Sequence, residues 1–496
     1  MTAHLELTSA ADLDAATVRR ISAGLQVRLT PGLASVVQAQ CDKARAVLRG
    51  DAAVYGVNTG MGALSSRRLT EAEQQVHQRN LLLGRATGGP PWLAEADVRA
   101  IVAVRLRTFL SGDAAVSAGL CHRLADFLGA RIVPAVPRDG AGCAGEIIQL
   151  AHCFGPLAGL GSILRPASGG IPPGDDRNQS VTPAADVLAE HGLAAYELGP
   201  KEGIALLAGV PGATALSILA GSEAETVSAM MTAAAGLSIA ALGAPADPYA
   251  EACARGDEVL GDVLSSLRAI IEPASHPRML QAPVSFRVAG AVLAQVRRAS
   301  AALAAAADRA MTGVTDSPAF LDGRFVGTAG FHGIDLAAQC DQLTAAITHA
   351  AEVSAARLHR LLDPAVTGLP AQLAVNPGPQ AGLVAVHKRA AGELHAMRRL
   401  ALPTAIGLIE TSGGQEDVQS FAWEAAVNLR AALSRCAAVA ACEALAAFQA
   451  LSLAGPPWPP GCRALLGRLG ALVEPITTDR QFGGDIEVLL SGSWTE

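Results

Sequence analysis

Two long uncharged stretches limit what this chain can form. Residues 203–222 and 226–246 contain no Asp, Glu, Lys or Arg, and only Glu223 and Glu225 are charged between them. Each stretch is long enough to cross a bilayer, but both are diluted with Ala, Gly, Ser, Thr and Pro. We therefore predict buried core helices, surrounded by other helices that can include those of another subunit.

The composition favours helices packed on helices. Hydrophobic residues make up 50% of the 496 residues, whereas aromatic residues make up 3%. Burial must therefore come mainly from Ala, Leu and Val, and Ala is the best helix former and a poor strand residue. The same composition excludes an intrinsically disordered chain, which combines low hydrophobicity with high charge. The predicted fold class is mainly α.

Charge and cysteine usage indicate a cytoplasmic protein. The net charge is −7 and no run is rich in Lys or Arg, so neither nucleic acid nor a membrane is an expected partner. The nine cysteines are odd in number and widely spaced without a CxxC pair, which predicts reduced thiols and no metal site. The first residues, MTAHLELTSAADLDAA, are acidic where a signal peptide needs an apolar core.

Apolar periodicity predicts helices separated by loops rich in Gly and Pro. We expect one structural unit, with an N-terminal active-site-loop region over 1–200 and a central long-helix bundle with C-terminal helices over 201–496. Residues 166–183 are rich in Pro, Gly and Asp and predict a surface strand pair or lid. The predicted helices span residues 12–25, 33–48, 71–83, 93–110, 201–243, 248–269, 286–312, 333–362, 379–400, 415–452 and 461–473.

Tyr55 lies in the first of three unusual loops, within a Gly-rich passage at residues 54–62. A Tyr beside flexible backbone can present its phenol to a ligand as a general acid or base. The alternative is a core Tyr whose hydroxyl is satisfied.

Cys143 lies in the second loop, Gly140–Glu146, directly before a predicted helix. Backbone N–H groups at a helix N-terminus favour a thiolate, so Cys143 is the one cysteine whose setting suggests reactivity. The alternative is a small buried thiol in a tight turn.

The third loop, Gly413–Asp417, is predicted to open a long helix. Glu416 and Asp417 can serve catalysis, or they can simply complement the helix dipole. His332, between two glycines, is open between a helix cap and a proton shuttle.

These loops together resemble the aromatic amino acid ammonia-lyase family, which includes the histidine, phenylalanine and tyrosine ammonia-lyases and aminomutases. The resemblance runs in order over nearly the whole chain. The matching segments are Tyr55-Gly56-Val57-Asn58-Thr59-Gly60 (YGxNTG in the family), Gln78-Arg79-Asn80-Leu81-Leu82 (QxNL), Pro200-Lys201-Glu202-Gly203 (PKEG), Ser285-Phe286-Arg287 (YSxR), Val314-Thr315-Asp316-Ser317-Pro318 (VTDNP), Gly330-Phe331-His332-Gly333 (GNFHG), Asn376-Pro377-Gly378 and Gly414-Gln415-Glu416-Asp417.

The resemblance implies a bundle of long central helices in a homotetramer, with active sites built from three chains. It implies that Tyr55 is the general base and that Arg287 pairs with a substrate carboxylate. It also makes Glu416 a catalytic candidate, and places Asn58, His332 and Gln415 among the substrate-binding candidates.

Family members form an electrophile called methylidene-imidazolone (MIO) from an Ala-Ser-Gly tripeptide, by cyclisation and loss of the Ser hydroxyl. The corresponding segment here is Cys143-Ala144-Gly145, or the Ser is deleted, and neither alignment supplies a β-hydroxyl. We therefore expect no MIO and no other cofactor. Other departures are Arg85 in place of a substrate-contacting His, Ala208 in place of the Asn that polarises MIO, Val284 in place of the YSxR Tyr, and Gly330 in place of the GNFHG Asn.

Four functions stay open on this sequence. The first is an enzyme whose Cys143 thiolate attacks a carboxylate-bearing or acyl substrate in acyl transfer, condensation or cyclisation, with Arg85 and Arg287 holding an anionic group. The second is a lyase or isomerase without a covalent group, with Tyr55 as base. The third is a non-catalytic homologue that binds a small molecule, and the fourth is an amino acid ammonia-lyase.

Overall fold

The computed structural model describes residues 4–165, 180–273, 277–407 and 409–495, and the described chain is mainly helical, as predicted. The helices are α1 (Ala15–Ser22), α2 (Pro31–Leu48), α3 (Glu71–Leu83), α4 (Glu95–Leu110), α5 (Ala118–Ala130), α6 (Ile147–Phe154), α7 (Ala184–Glu190), α8 (Glu202–Leu207), α9 (Pro211–Leu242), α10 (Glu258–Ile271), α11 (Val284–Arg287), α12 (Ala289–Thr312), α13 (Ile334–Leu361), α14 (Pro364–Thr367), α15 (Val384–Leu400), α16 (Ala422–Ala454), α17 (Pro460–Leu472) and α18 (Phe482–Leu489).

Short strands form three two-stranded sheets in the described ranges. The stretch at 166–183, predicted as a strand pair or lid, ends in a strand that pairs with residues just before it, but its residues 166–179 lie outside the described residues. The strands are β1 (His4–Leu7) parallel to β2 (Gln26–Leu29), β3 (Ser162–Leu164) antiparallel to β4 (Val181–Pro183), and β5 (Ala319–Leu321) antiparallel to β6 (Arg324–Val326).

Local signals explain where α2 and α3 begin. The Thr30 side chain accepts a hydrogen bond from the Leu33 N–H, and Pro31 occupies the first helical position. At α3, Thr70 and Glu73 form a complete capping box, and this helix has the bounds predicted from its periodicity.

One helix predicted over 201–243 is divided into α8 and α9. Gly209 between them has a φ of +81°, which a helix does not allow. Pro211 then begins α9, and a proline disfavours helical conformation in the residue before it. The break matters because Ala208 and Gly209 line the cavity described below.

The prediction that Glu416 and Asp417 open a long helix is wrong. The helix α16 begins at Ala422, and Glu416 lies in a turn closed by backbone hydrogen bonds with Thr411. Phe421, with a φ of +52°, separates this turn from the helix. The Glu416 carboxylate therefore does not complement the dipole of α16.

The chain divides into two compact units. The first comprises residues 1–219, 304–340 and 403–427, and the second comprises 220–303, 341–402 and 428–496. The candidate active site lies in the first unit. The division at residue 200 suggested by the sequence stays a prediction.

Long apolar helices are buried, as the uncharged stretches predict. The segments Glu202–Leu242 and Ala422–Ala454 are long and apolar enough to cross a membrane, but 89% of the most apolar window of each is buried within the protein. In the second unit, the part of α16 that follows residue 428 buries many alanines completely, including Ala440, Ala444 and Ala447. Small side chains let neighbouring helices approach closely, as the shortage of aromatic residues requires.

The core of the second unit also contains a buried ion pair. Arg357 binds Glu443 through two hydrogen bonds of 2.6 and 2.8 Å, and both side chains are almost completely buried. The hydroxyls of Ser238 and Ser354 donate to the same carboxylate at 2.7 and 2.6 Å. The carboxylate thus receives four hydrogen bonds inside an apolar core.

We expect Glu443→Gln to destabilise the protein by about 3 to 5 kcal/mol, because it leaves the buried Arg357 without its carboxylate. Chemical denaturation measures the change. The matched control is Glu352→Gln, whose partner Arg398 is exposed, and which should cost less than about 1 kcal/mol. Equal losses in the two variants would contradict the prediction.

Candidate active site

A cavity of about 310 Å³ in the first unit brings several of the sequence-predicted residues together. Its polar lining comes from Tyr55, Ser317, Gln415 and Glu416, and its backbone lining includes Ala144, Gly145 and Gly209. The apolar lining comes from Met61, Ile147, Ile204, Leu207, Ala208 and Phe331. A mostly apolar cavity with a few converging polar groups is typical of a small-molecule site.

Tyr55 presents its phenol to this cavity, as predicted for a candidate general base. Its ring is 38% exposed, and its oxygen accepts a hydrogen bond of 2.9 Å from the Gly62 N–H. The oxygen is the acceptor in this bond, so the phenolic proton is not used in it.

Asn58 holds the Tyr55 loop closed and does not line the cavity. Its side-chain oxygen accepts from the Val54 N–H at 2.8 Å, and its amide donates to the Ala52 carbonyl at 2.8 Å. The structure therefore gives this predicted substrate-binding side chain a loop-closing role, because both ends of its amide are engaged by the chain itself.

Ala144 and Gly145 of the segment Cys143-Ala144-Gly145 line the cavity. The Ala144 N–H donates to Glu416 Oε2 at 2.9 Å, and a Cβ at Gly145 would make ordinary contacts with the carbonyl oxygens of Phe331 and Gly209. The methyl group of Ala144 carries no hydroxyl that could leave as water. The residues present therefore do not fit the formation of MIO.

Cys143 lies behind this surface. Its side chain is 9% exposed, and its Sγ donates to the Gly145 carbonyl at 3.2 Å. Burial raises the pKa of the Cys143 thiol, although the backbone N–H groups of Ile148 and Ile147 act in the opposite direction. The expectation of a reactive thiol with a lowered pKa is wrong: the N–H groups act in the expected direction, but desolvation outweighs them.

Glu146, which the sequence analysis did not single out, links the same segment to the core. It is buried, and its carboxylate accepts hydrogen bonds of 2.7 and 2.6 Å from the N–H groups of Gly212 and Ala213. Burial raises the pKa of Glu146 to about 7, against the effect of these two bonds. A signal existed in the sequence: Val210 before Pro211 cannot cap α9, so the capping group must come from elsewhere.

Glu416 is held in a defined orientation beside Ala144. Its Oε1 accepts from the Ser412 hydroxyl at 3.1 Å, and its Oε2 accepts from the Ala144 N–H. Gln415 precedes it on the same turn and also lines the cavity. These two predicted site residues are thus brought to the cavity by a turn and not by a helix.

Arg85 lies beside the cavity after the end of α3. Its Nη2 lies 3.8 Å from Sδ of Met61, a lining residue. Burial lowers the pKa of Arg85, whereas the charges of Tyr55 and Glu416 act to raise it. Arg85 is therefore a cationic group beside the cavity lining.

His332 and Gly330 lie in a short turn that contributes Phe331 to the cavity. The His332 carbonyl accepts a hydrogen bond from the Ser420 hydroxyl, and its side chain does not line the cavity. A side chain at Gly330 would lie 2.1 Å from the Val314 carbonyl oxygen. This contact explains why the position is glycine here.

Arg287 belongs to the second unit, where its Nε donates to the Ala282 carbonyl at 3.0 Å. Its predicted role as a carboxylate partner stays a prediction.

Buried charges hold the backbone behind the cavity. Arg105 donates to the Ala208 carbonyl at the break between α8 and α9, and Lys201 donates to Asp316, next to the lining residue Ser317. Lys201 has a φ of +85°, which is unfavourable for a residue with a side chain. We interpret this strained residue as held in place by its buried ion pair.

The described ranges contain no group of three His, Cys, Asp or Glu side chains that could hold a metal ion.

Comparison with known proteins gives a consistent result. A family model described as aromatic amino acid lyase matches residues 13–470. A histidine ammonia-lyase from Symbiobacterium thermophilum is 31% identical, with 94% of this chain and 92% of that protein covered. A histidine ammonia-lyase from Rhodospirillum rubrum is 33% identical, with 77% and 75% covered.

Solved structures share the fold over the whole chain. A tyrosine aminomutase from Streptomyces globisporus superposes with a TM-score of 0.90 at 26% identity, covering 99% of this chain and 98% of that one. The ergothioneine-degrading enzyme ergothionase from Treponema denticola, solved with desmethyl-ergothioneine sulfonic acid, has a TM-score of 0.89 at 23% identity with the same coverage. At that identity, the second likeness shows the fold alone.

We expect Cys143 to react slowly with thiol reagents at pH 7, because its thiol is buried and its pKa is raised. All nine cysteines lie in the described ranges, and Cys253 is the exposed one. Ellman's reagent should therefore label one thiol rapidly in the native protein and none in Cys253→Ala. Rapid labelling that persists in Cys253→Ala and disappears in Cys143→Ala would contradict the expectation.

Proposed function

Because this chain belongs to the aromatic amino acid lyase family, we propose that it is a lyase or isomerase that acts on a small carboxylate-bearing substrate without MIO. The observation that carries the proposal is the cavity itself. It has the Tyr55 phenol in its lining, but it has the methyl group of Ala144 where the electrophile would need a departing hydroxyl.

Tyr55 is the proposed general base. As the phenolate, its oxygen accepts a proton from the substrate carbon and becomes the neutral phenol, and the Gly62 N–H donates to that oxygen. The Arg85 guanidinium, beside the lining residue Met61, can hold a substrate anion. Glu416, fixed by Ser412 and Ala144, is the proposed second proton-transfer group.

Without a methylidene electrophile, the enzyme can act only on a substrate that is more reactive by itself. In the family, the electrophile activates a substrate whose amine is a poor leaving group. Without it, the substrate must itself carry a better leaving group or a more acidic C–H bond. Relatives of this chain are named histidine ammonia-lyase, and a protein of the same fold degrades ergothioneine. Histidine and ergothioneine, with compounds like them, are therefore the first substrates to test.

The Cys143 nucleophile is the second candidate. The N–H groups of Ile147 and Ile148 lie close enough to favour its thiolate, which would attack a substrate carbonyl in acyl transfer, condensation or cyclisation. Burial opposes this role, and Cys143 is not part of the cavity lining. Either enzyme is proposed to work as a cytoplasmic homotetramer, which is the assembly that the family resemblance implies.

We expect the intact protein to have the mass of the unmodified 50.4 kDa chain. MIO formation removes two water molecules from each chain, and Ala144 cannot supply the second of them. Mass spectrometry of the denatured protein measures the difference directly. Ala144→Ser is the matched variant, since it restores the hydroxyl in the same segment. A wild-type chain that is two waters light would show that another route to the electrophile exists.

We expect Tyr55→Phe to lower kcat by about 10²- to 10⁴-fold, because it removes the base while keeping the ring. Cys143→Ala should retain most activity. The measurement is formation of unsaturated or isomerised product, together with exchange of the substrate C–H in D₂O followed by NMR. The opposite pattern, with loss in Cys143→Ala and tolerance of Tyr55→Phe, would replace the proposal by the thiolate mechanism. Substrate binding with no turnover or exchange in any variant would indicate a non-catalytic homologue.

A further inference from the structure

Gln78 on α3 connects the Tyr55 loop to a wall of the cavity. Its side chain is 1% exposed, its Nε2 donates to the Gly56 carbonyl at 3.0 Å, and its Oε1 accepts from the Ile204 N–H at 3.1 Å. Gly56 directly follows Tyr55, and Ile204 on α8 lines the cavity. One side chain therefore joins the residue after the proposed base to Ile204, another lining residue.

Two glycines make this junction tight. A Cβ at Gly203 would lie 2.3 Å from the Gln78 carbonyl oxygen, so α8 is pressed against α3 at this point. A Cβ at Gly56 would lie 2.3 Å from Cδ1 of Ile204, so the same loop is pressed against the Ile204 side chain. The loop, α3 and α8 meet with no space for a further methyl group at either glycine.

The amide of Gln78 is chemically suited to this position. The Gly56 carbonyl needs a donor and the Ile204 N–H needs an acceptor, and a side-chain amide supplies both. A carboxylate of the same size supplies only acceptors, and an apolar chain supplies neither. Both hydrogen bonds are buried, so losing the amide leaves a buried carbonyl and a buried N–H without this partner.

We propose that Gln78 is a positioning residue that sets where the Tyr55 phenol stands in the cavity. The peptide between Tyr55 and Gly56 is fixed by the Gln78 amide, and the phenol oxygen is then fixed at its other end by the Gly62 N–H. Gln78 does not line the cavity and acts through Tyr55. The importance of Gln78 for activity rests on the proposed role of Tyr55 as base. The placement of the Tyr55 phenol by Gln78 does not depend on that role.

The chain has three tyrosines, which makes Tyr55 directly observable. Incorporation of 3-fluorotyrosine gives three ¹⁹F resonances, and Tyr55→Phe identifies the one that belongs to Tyr55. Tyr196 and Tyr249 serve as internal references, since the Tyr196 hydroxyl bonds to Ser117 and Glu202, the Tyr249 hydroxyl donates to the Phe286 carbonyl, and neither bonds to Gln78. No substrate is needed for this measurement.

Gln78→Met is expected to shift or broaden the Tyr55 resonance by more than its line width and to leave the other two in place. The matched control is Gln75→Met, one turn earlier on the exposed face of α3, which should change none of the three. A Tyr55 resonance in Gln78→Met that coincides with the wild-type one would overturn the proposal.

Gln78→Glu provides the second variant, in case Gln78→Met unfolds. Its protonated carboxyl donates to the Gly56 carbonyl and accepts from the Ile204 N–H, whereas its ionised form cannot donate. The Tyr55 resonance should therefore match wild type at low pH and move away as pH rises. The neighbouring titratable groups His77, Arg85, Glu202 and Glu416 are the same in wild type. The pH dependence of the wild-type Tyr55 resonance is therefore subtracted from that of Gln78→Glu. A resonance in Gln78→Glu that follows the wild-type titration throughout would contradict the positioning role.

The ¹⁹F measurement of the Tyr55 position is independent of the activity test of Tyr55 as base. If Tyr55→Phe retains activity but the Gln78 variants move the Tyr55 resonance, the proposed function fails and the positioning stands. If the resonance is unmoved while Tyr55→Phe is inactive, the base assignment stands and Gln78 is a structural residue only.

Discussion

The hydrogen bonds from Gly212 and Ala213 to the buried Glu146 carboxylate are the constraint on which the site depends. Pro211 opens α9 without a capping side chain of its own, so the first N–H groups of a 32-residue helix need an acceptor from elsewhere. Glu146 supplies it and directly follows the segment Cys143–Gly145. The core helix and the cavity backbone are thereby fixed to each other, and a shift of one requires a shift of the other.

This constraint holds the cavity in its form without using a hydroxyl at position 144. The geometry of the segment depends on Glu146 and on the Glu416 carboxylate that receives the Ala144 N–H. None of these contacts uses a hydroxyl at position 144. The shape of the site and the formation of an electrophile are therefore physically independent, and losing the second does not require losing the first.

The sequence predicts the helices better than the interactions that shape the site. The bounds of α3 follow from its periodicity, and Tyr55 in the Gly-rich loop lines a cavity, one of two interpretations left open by the sequence. The break after α8, the turn that carries Glu416 and the loop-closing role of Asn58 were missed. Apolar periodicity does not reveal a turn inside an apolar run. Whether a side chain faces a ligand or bonds to its own backbone is decided only in the folded loop.

The pKa of the Cys143 thiol shows the same limitation, because two opposing effects act on it and only one is visible in the sequence. A helix N-terminus is visible in sequence, and its N–H groups do act on the thiol in the expected direction. Burial is not visible from local sequence, and at 9% exposure it dominates. Tyr55 presents the contrary case, because its ring is partly exposed and its loop is held by amides from Asn58 and Gln78. Of two candidate groups near one cavity, the partly exposed one is better placed to exchange a proton with a substrate. This holds most clearly when the loop that carries it is fixed by buried hydrogen bonds. On this structure that group is Tyr55.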